Sequence, residues 1–132
     1  MLGYVTMGTN DVPRARAFYG NLLSDIGMRK IMEFGEDRGG FTLYAGGMDQ
    51  LGIAVTLPYN QEPATVGNGN MAAISLKDRA QVDAFHAKAL ELGGSCEGLP
   101  GVRGDEGPQA FYGAYFRDPD GNKLCAYRIG PA

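Results

Sequence analysis

The chain has no tryptophan, a single histidine and two cysteines, and it lacks any long uninterrupted apolar run. Each shortage removes a class of function. A helix that crosses a bilayer needs about 20 consecutive apolar residues, so no membrane span is expected. Cys96 and Cys125 match no zinc-ligand spacing, and one pair does not make a disulfide framework. Both are expected to be reduced thiols, as in a cytoplasmic protein. The first residues show no charged segment, apolar core and cleavage site of a secretory signal, which points the same way. Basic residues are also scarce: the formal net charge is -3, and no local Lys/Arg cluster offers a footprint for nucleic acid.

What is abundant is glycine, at 21 of 132 residues, gathered at turns with no fixed period, so collagen-like and low-complexity readings fail. With 44% hydrophobic and 20% charged residues, the composition is that of a globular protein. The glycines punctuate a repeat. At an offset of 67 residues, Tyr4 falls on Met71, Asp11 on Asp78, Phe18 on Phe85, Leu23 on Leu90 and Gly27 on Gly94. Each copy reads as strand, aspartate-opened turn, amphipathic helix and glycine stop. Half a chain of this size has too little core to be stable alone, so two modules sharing one core are expected. A cavity between modules is a common place for a small-molecule site.

Along the chain, Leu2 to Gly8 reads as a strand, and Asn10 or Asp11 caps a helix with Pro13 in its first turn. Ala15, Phe18, Tyr19, Leu22, Leu23 and Ile26 form the apolar stripe of that helix. Strands are expected at Arg29 to Phe34, Gly40 to Ala45 and Leu51 to Leu57. Residues 58–70 form a connector rich in proline, asparagine and glycine. In the second module Asp78 caps a helix with Val82, Phe85, His86, Ala89 and Leu90 on its stripe. Gly98 to Gln109 reads as a loop. Ala110 to Arg117 and Lys123 to Ile129 flank Asp118-Pro119-Asp120-Gly121-Asn122, a strong hairpin turn. The expected fold is α+β: two tandem βαβββ modules, about 2–57 and 71–129, forming a curled mixed sheet around a cavity with the helices outside.

Three segments carry a resemblance: YVTMGTNDVPRARAFYGNLL, MAAISLKDRAQVDAFHAKALELGG and YGAYFRDPDGNKLCAY. They resemble the vicinal oxygen chelate superfamily of glyoxalases, bleomycin-resistance proteins and extradiol dioxygenases, over about Leu2 to Ile129. In metal-using members, histidines and glutamates from the first and last strands of each module bind one divalent ion. That ion stabilises an enediolate or activates oxygen. The resemblance maps those positions onto Tyr4, Thr56, Met71 and Cys125, none of which is an imidazole or carboxylate. Neutral Tyr and Thr oxygens bind metals weakly, and the sulfurs prefer different ions. No cofactor is therefore expected, with a divalent metal in a non-standard site as the alternative.

The remaining candidates divide between chemistry and packing. His86 is either a general base or an amphipathic residue of the helix-sheet interface. Cys125 is either a reactive thiol, with Lys123 or Arg128 to lower its pKa, or a quiet pocket-lining group. The aromatic hairpin, with Phe111, Tyr112, Tyr115, Phe116 and Tyr127, suits both strand packing and flat ligands. Arg103, Asp105 and Glu106 sit in the loop that is a candidate lid. Three functions stay open: a metal-independent module binding a small organic ligand in a cavity lined by Tyr4, Thr56, Met71 and Cys125; a lyase or dioxygenase with an unconventional site; and a structural or regulatory dimer with a vestigial pocket. The resemblance implies a homodimer.

Overall fold

The computed structural model describes all residues, Met1–Ala132. The order of elements is β1 (Tyr4–Gly8), α1 (Val12–Ser24), β2 (Arg29–Glu33), β3 (Thr42–Ala45), β4 (Gly52–Thr56), β5 (Ala72–Ser75), α2 (Arg79–Glu91), β6 (Ser95–Arg103), β7 (Phe111–Arg117) and β8 (Lys123–Ile129). A short 3-10 turn, Glu36–Arg38, lies between β2 and β3. The strands form two four-stranded mixed sheets, ordered β1-β4-β3-β2 and β5-β8-β7-β6. In each sheet the outer pair, β1 with β4 or β5 with β8, is parallel and the other pairings are antiparallel. This is the α+β, two-module architecture that the repeat implies.

The chain divides into two compact units: Met1–Asn68 with Pro119–Asn122, and Gly69–Asp118 with Lys123–Ala132. In the first, α1 begins where the Asp11 side chain accepts a hydrogen bond from the Arg14 N–H, with proline in its first turn. Its buried stripe is Val12, Ala15, Phe18, Tyr19, Leu22 and Leu23, at the expected helical spacing. The helix stops at Ser24, and Gly27 at φ 85° turns the chain into β2. Ile26 thus lies beyond the helix proper. Arg16 ties α1 to the sheet, donating to the Thr42 hydroxyl at 2.8 Å and to the Phe34 carbonyl at 2.7 Å.

The turn at Pro119–Asn122 is held by side chains. The Asp120 carboxylate, only 4% exposed, accepts from Thr9 Oγ1 at 2.6 Å, from the Asn10 N–H at 2.9 Å and from Arg14 at 2.8 Å. The Asn122 amide donates to the Gly8 carbonyl at 2.9 Å.

In the second unit, Asp78 caps α2 through the Gln81 N–H, and Val82, Phe85, His86 and Ala89 are buried. The helix packs on β6, β7 and β8. The stretch from Gly98 to Arg103 is not loop but the greater part of β6, paired with β7 from Ser95↔Arg117 to Arg103↔Phe111. Its glycines and Pro100 hide the strand pattern, and two register shifts, between Cys96 and Gly98 and between Gly98 and Gly101, accommodate them. Only residues 104–110 connect β6 to β7. That connection is strapped down by Glu106, whose carboxylate takes two hydrogen bonds from Arg79, at 2.8 and 2.6 Å.

His86 is a core residue, 3% exposed, with its ring 6.3 Å edge-on from Phe116. Its Nε2 has no hydrogen-bond partner. Burial lowers its pKa below the usual 6.5, against the opposing pull of a hydrogen bond to the Tyr115 backbone and the charge of Asp83.

Two stability predictions follow from these contacts. Asp120→Ala removes the carboxylate that gathers Thr9, Asn10 and Arg14, leaves the Thr9 hydroxyl only its contacts with the Asp11 backbone, and should cost about 1–3 kcal/mol in urea unfolding; a change within error would remove the turn from the stabilising set. For His86 the folded pKa lies below the unfolded one, so the unfolded chain takes up the proton first. Stability should therefore fall as pH drops from about 6.5 toward the folded value. His86→Phe should flatten that part of the pH–stability curve, and an unchanged slope would place the titration elsewhere.

Candidate functional site

Period-two alternation assigns the side chains of the first sheet to two faces. Tyr4 and Thr6 of β1 point away from the helix-covered side, and the parallel register pairs Tyr4 with Gly52, Thr6 with Ala54 and Gly8 with Thr56. This face, with the connections around residues 34–41 and 56–63, bounds a cavity of about 1180 Å³. Its wall is a chain of rings. Tyr4 meets Phe41 edge-on at 5.7 Å, and Phe41 lies 6.2 Å from Phe34. The Arg38 guanidinium sits 4.5 Å from the centre of the Phe34 ring. Glu36, Asp37 and Glu62 add carboxylates to the lining.

The far end of the cavity depends on glycine. Gly39 adopts φ 77°, and a Cβ there would come within 3.0 Å of Thr56 Oγ1. That hydroxyl is already committed, donating toward the Leu57 carbonyl at 2.9 Å and the Gly39 carbonyl at 3.2 Å. Tyr4 and Thr56 thus line one cavity. They stand four register positions apart, about 13 Å along the strands.

Met71 and Cys125 belong to the second unit and are not among the residues lining this cavity. Met71 precedes β5 and is 46% exposed. Cys125 is paired with Ala73 on β5 and Tyr115 on β7, and is 1% exposed. Burial pushes its thiol pKa up, outweighing a side-chain hydrogen bond with Tyr115 and the charges of Arg103 and Lys123. Such a sulfur is a protonated thiol at neutral pH, not a nucleophile.

The two strand registers also revise one correspondence within the repeat. Thr6 and Ala73 stand the same distance before the capping aspartates Asp11 and Asp78. Thr6 pairs with Ala54, and Ala73 with Cys125. The first-unit counterpart of Cys125 is therefore Ala54. Thr56 corresponds to Tyr127, because Ala54 to Thr56 and Cys125 to Tyr127 are matching steps along the strands. The sequence offset could not reveal this, since the loops between helix and last strand differ in length.

Comparison with known proteins agrees with this geometry. The profile of the Glyoxalase/Bleomycin resistance protein/Dioxygenase superfamily matches residues 1–126. The chain belongs to that superfamily. The crystal structure of a glyoxalase/bleomycin resistance protein from Albidiferax ferrireducens T118 is 36% identical, with 97% of this chain and 98% of that one covered and a TM-score of 0.81. A glyoxalase-related enzyme from Fulvimarina pelagi is 19% identical over 97% of this chain and 87% of its own, at TM-score 0.69. A lactoylglutathione lyase from Agrobacterium tumefaciens is 18% identical over 97% and 92%, at TM-score 0.64. The last two share the fold. No curated protein matches.

Membership raises the question of a metal, and the residues do not fit one. No group of three or more His, Cys, Asp or Glu side chains is placed to hold an ion. At the last-strand positions that the resemblance assigns to metal ligands, as the strand registers revise them, Ala54 has no donor atom and Cys125 is a buried thiol. Met71 offers only a thioether, a weak ligand for the hard or borderline ions of that chemistry.

The residues that sequence reasoning missed are Thr6, Phe34, Phe41 and Arg38. Alternation from Tyr4 carries the signal for Thr6, and the two phenylalanines flank the GEDRGG turn as hairpin partners, with the Phe34 N–H donating to the Phe41 carbonyl at 2.8 Å. The state of Cys125 is directly measurable. In the native protein at neutral pH, a disulfide-exchange thiol reagent should label exposed Cys96 and reach Cys125 only on unfolding; fast labelling of two thiols would show an open, reactive Cys125.

Proposed function

We propose that this superfamily member binds a small, planar organic molecule in the cavity of its first unit, without a metal ion. The observation that carries the reading is the Tyr4–Phe41–Phe34 ring series along one wall. Offset and edge-on ring contacts of this kind suit a flat ligand, and each adds about 0.5–1.5 kcal/mol beyond burial. The cavity lies at or above the usual range for small-ligand sites. Thr6, Arg38 and the carboxylates of Glu36, Asp37 and Glu62 supply the few polar groups that orient a ligand. Binding by shape and stacking needs no general acid or base, which accords with a buried, unreactive Cys125 and a core His86.

In this reading Tyr4 and Thr56 are the ligand contacts on the cavity, whereas Met71, just before β5, and Cys125, on β8, belong to the second unit and do not line it. No observation favours a lyase or dioxygenase reaction over binding. The purified protein should hold less than about a tenth of an equivalent of transition metal. Thermal-shift screening with planar aromatic compounds should find a ligand whose effect survives chelator, with stabilisation of about 2.7 kcal/mol at 100 times its Kd. Phe41→Ala should weaken that ligand about tenfold. Near-stoichiometric metal whose removal abolishes binding would overturn the reading, as would equal affinity for Phe41→Ala.

A further inference from the structure

The second unit presents a face of its own. On β7 and β8, Lys123, Cys125, Tyr127 and Ile129 alternate onto the same side as Arg117, Tyr115, Gly113 and Phe111, their register partners. On β6 the register adds Gly98, Gly101 and Arg103 to that side. Two cations converge there on one ring. The Arg103 guanidinium carbon lies 5.4 Å from the centre of Tyr115, and Lys123 Nζ lies 5.5 Å from it. Next to them Phe111 and Tyr127 stack at 5.3 Å with their planes 9° apart.

Arg103 is held in place before any ligand arrives. Its guanidinium donates to the Leu99 carbonyl at 2.7 Å and to the Gly101 carbonyl at 2.9 Å. It occupies space that side chains on two neighbouring residues would take. A Cβ on Gly98 would lie 3.1 Å, and one on Gly101 3.2 Å, from its terminal nitrogens. Two bare positions and two carbonyls therefore fix a long side chain in an exposed setting, where it would otherwise move freely. That immobilisation removes much of the entropy cost of gripping an anion.

Neither cation is neutralised by a carboxylate of its own. Glu97, whose charge interacts with Lys123, is taken by Arg117 at 2.6 Å. Glu106 is taken by Arg79. Asp83 accepts the Tyr112 hydroxyl at 2.6 Å. The guanidinium of Arg103 has five N–H donors and spends two of them on carbonyls.

We propose that this face is an anion subsite: Arg103 and Lys123 take the carboxylate of a planar organic acid, whose ring lies against Tyr115 and the Phe111–Tyr127 stack. The charge-assisted fork of Arg103 matches a carboxylate, and Lys123 adds a mobile second charge. None of these residues lines the first unit's cavity, so either site can fail without the other.

The test uses benzoate, benzamide and inorganic phosphate, each titrated into the full chain while NMR follows the Tyr115 ring and the Cys125 amide. Benzoate should shift both and saturate, and benzamide, with the same ring and no charge, should bind at least about tenfold more weakly. Phosphate, which has the charge and no ring, should also bind more weakly than benzoate. Arg103→Gln and Lys123→Gln should each weaken benzoate about five- to tenfold, whereas Lys77→Gln, an exposed charge of the same unit, should bind it as the wild type does. If Arg103→Gln disturbs β6, Lys123→Gln carries the test, since it leaves the backbone pairing of Lys123 with Arg117 in place. Benzamide equal to benzoate, phosphate tighter than benzoate, no saturable shift at Tyr115, or wild-type affinity in Lys123→Gln would each overturn the proposal.

Discussion

A four-stranded sheet has two faces, and each unit of this protein has one helix to cover them. α1 lies on the first sheet and α2 on the second, and the apolar stripes of both helices are spent on that single contact. The other face of each sheet must then carry side chains that tolerate exposure. On the first it holds Tyr4 and Thr6, and on the second Ala73 and Ser75, all exposed. Core formation and the presentation of an open, residue-lined surface are therefore one event. Every candidate site in the molecule lies on a face that its helix leaves uncovered.

Within that constraint, the two open faces have been filled differently. The first carries rings and hydroxyls around a cavity with acidic groups in its lining. The second carries two unneutralised cations around Tyr115 and a stacked aromatic pair. At the last-strand positions that the resemblance assigns to metal ligands stand Ala54 and the buried thiol of Cys125. A methyl group and a protonated sulfur pack well against a sheet but offer little to a hard cation.

Much of the fold was legible because its signals are local. Asp11 and Asp78 are read as caps since a short carboxylate before an apolar stripe has few better uses, and both accept a hydrogen bond three residues on. The DPDGN turn, the helical stripes and the closing hairpin were equally plain. β6 was not, because Gly98, Pro100 and Gly101 are turn residues by every local rule. Their strand conformation comes from pairing with β7, where the missing side chains leave room for Arg103 and Tyr115.

The amino-acid sequence alone determined the repeat, the two βαβββ modules and the membership these imply. Those are matters of residue type and spacing along the chain. Tertiary structure decided that Ala54 rather than Thr56 answers to Cys125, that Phe34, Phe41 and Tyr4 share a wall, and that Arg103 meets Lys123 over one ring. Each of these depends on the register between strands distant in sequence. A shift of one residue would turn every side chain involved to the opposite face.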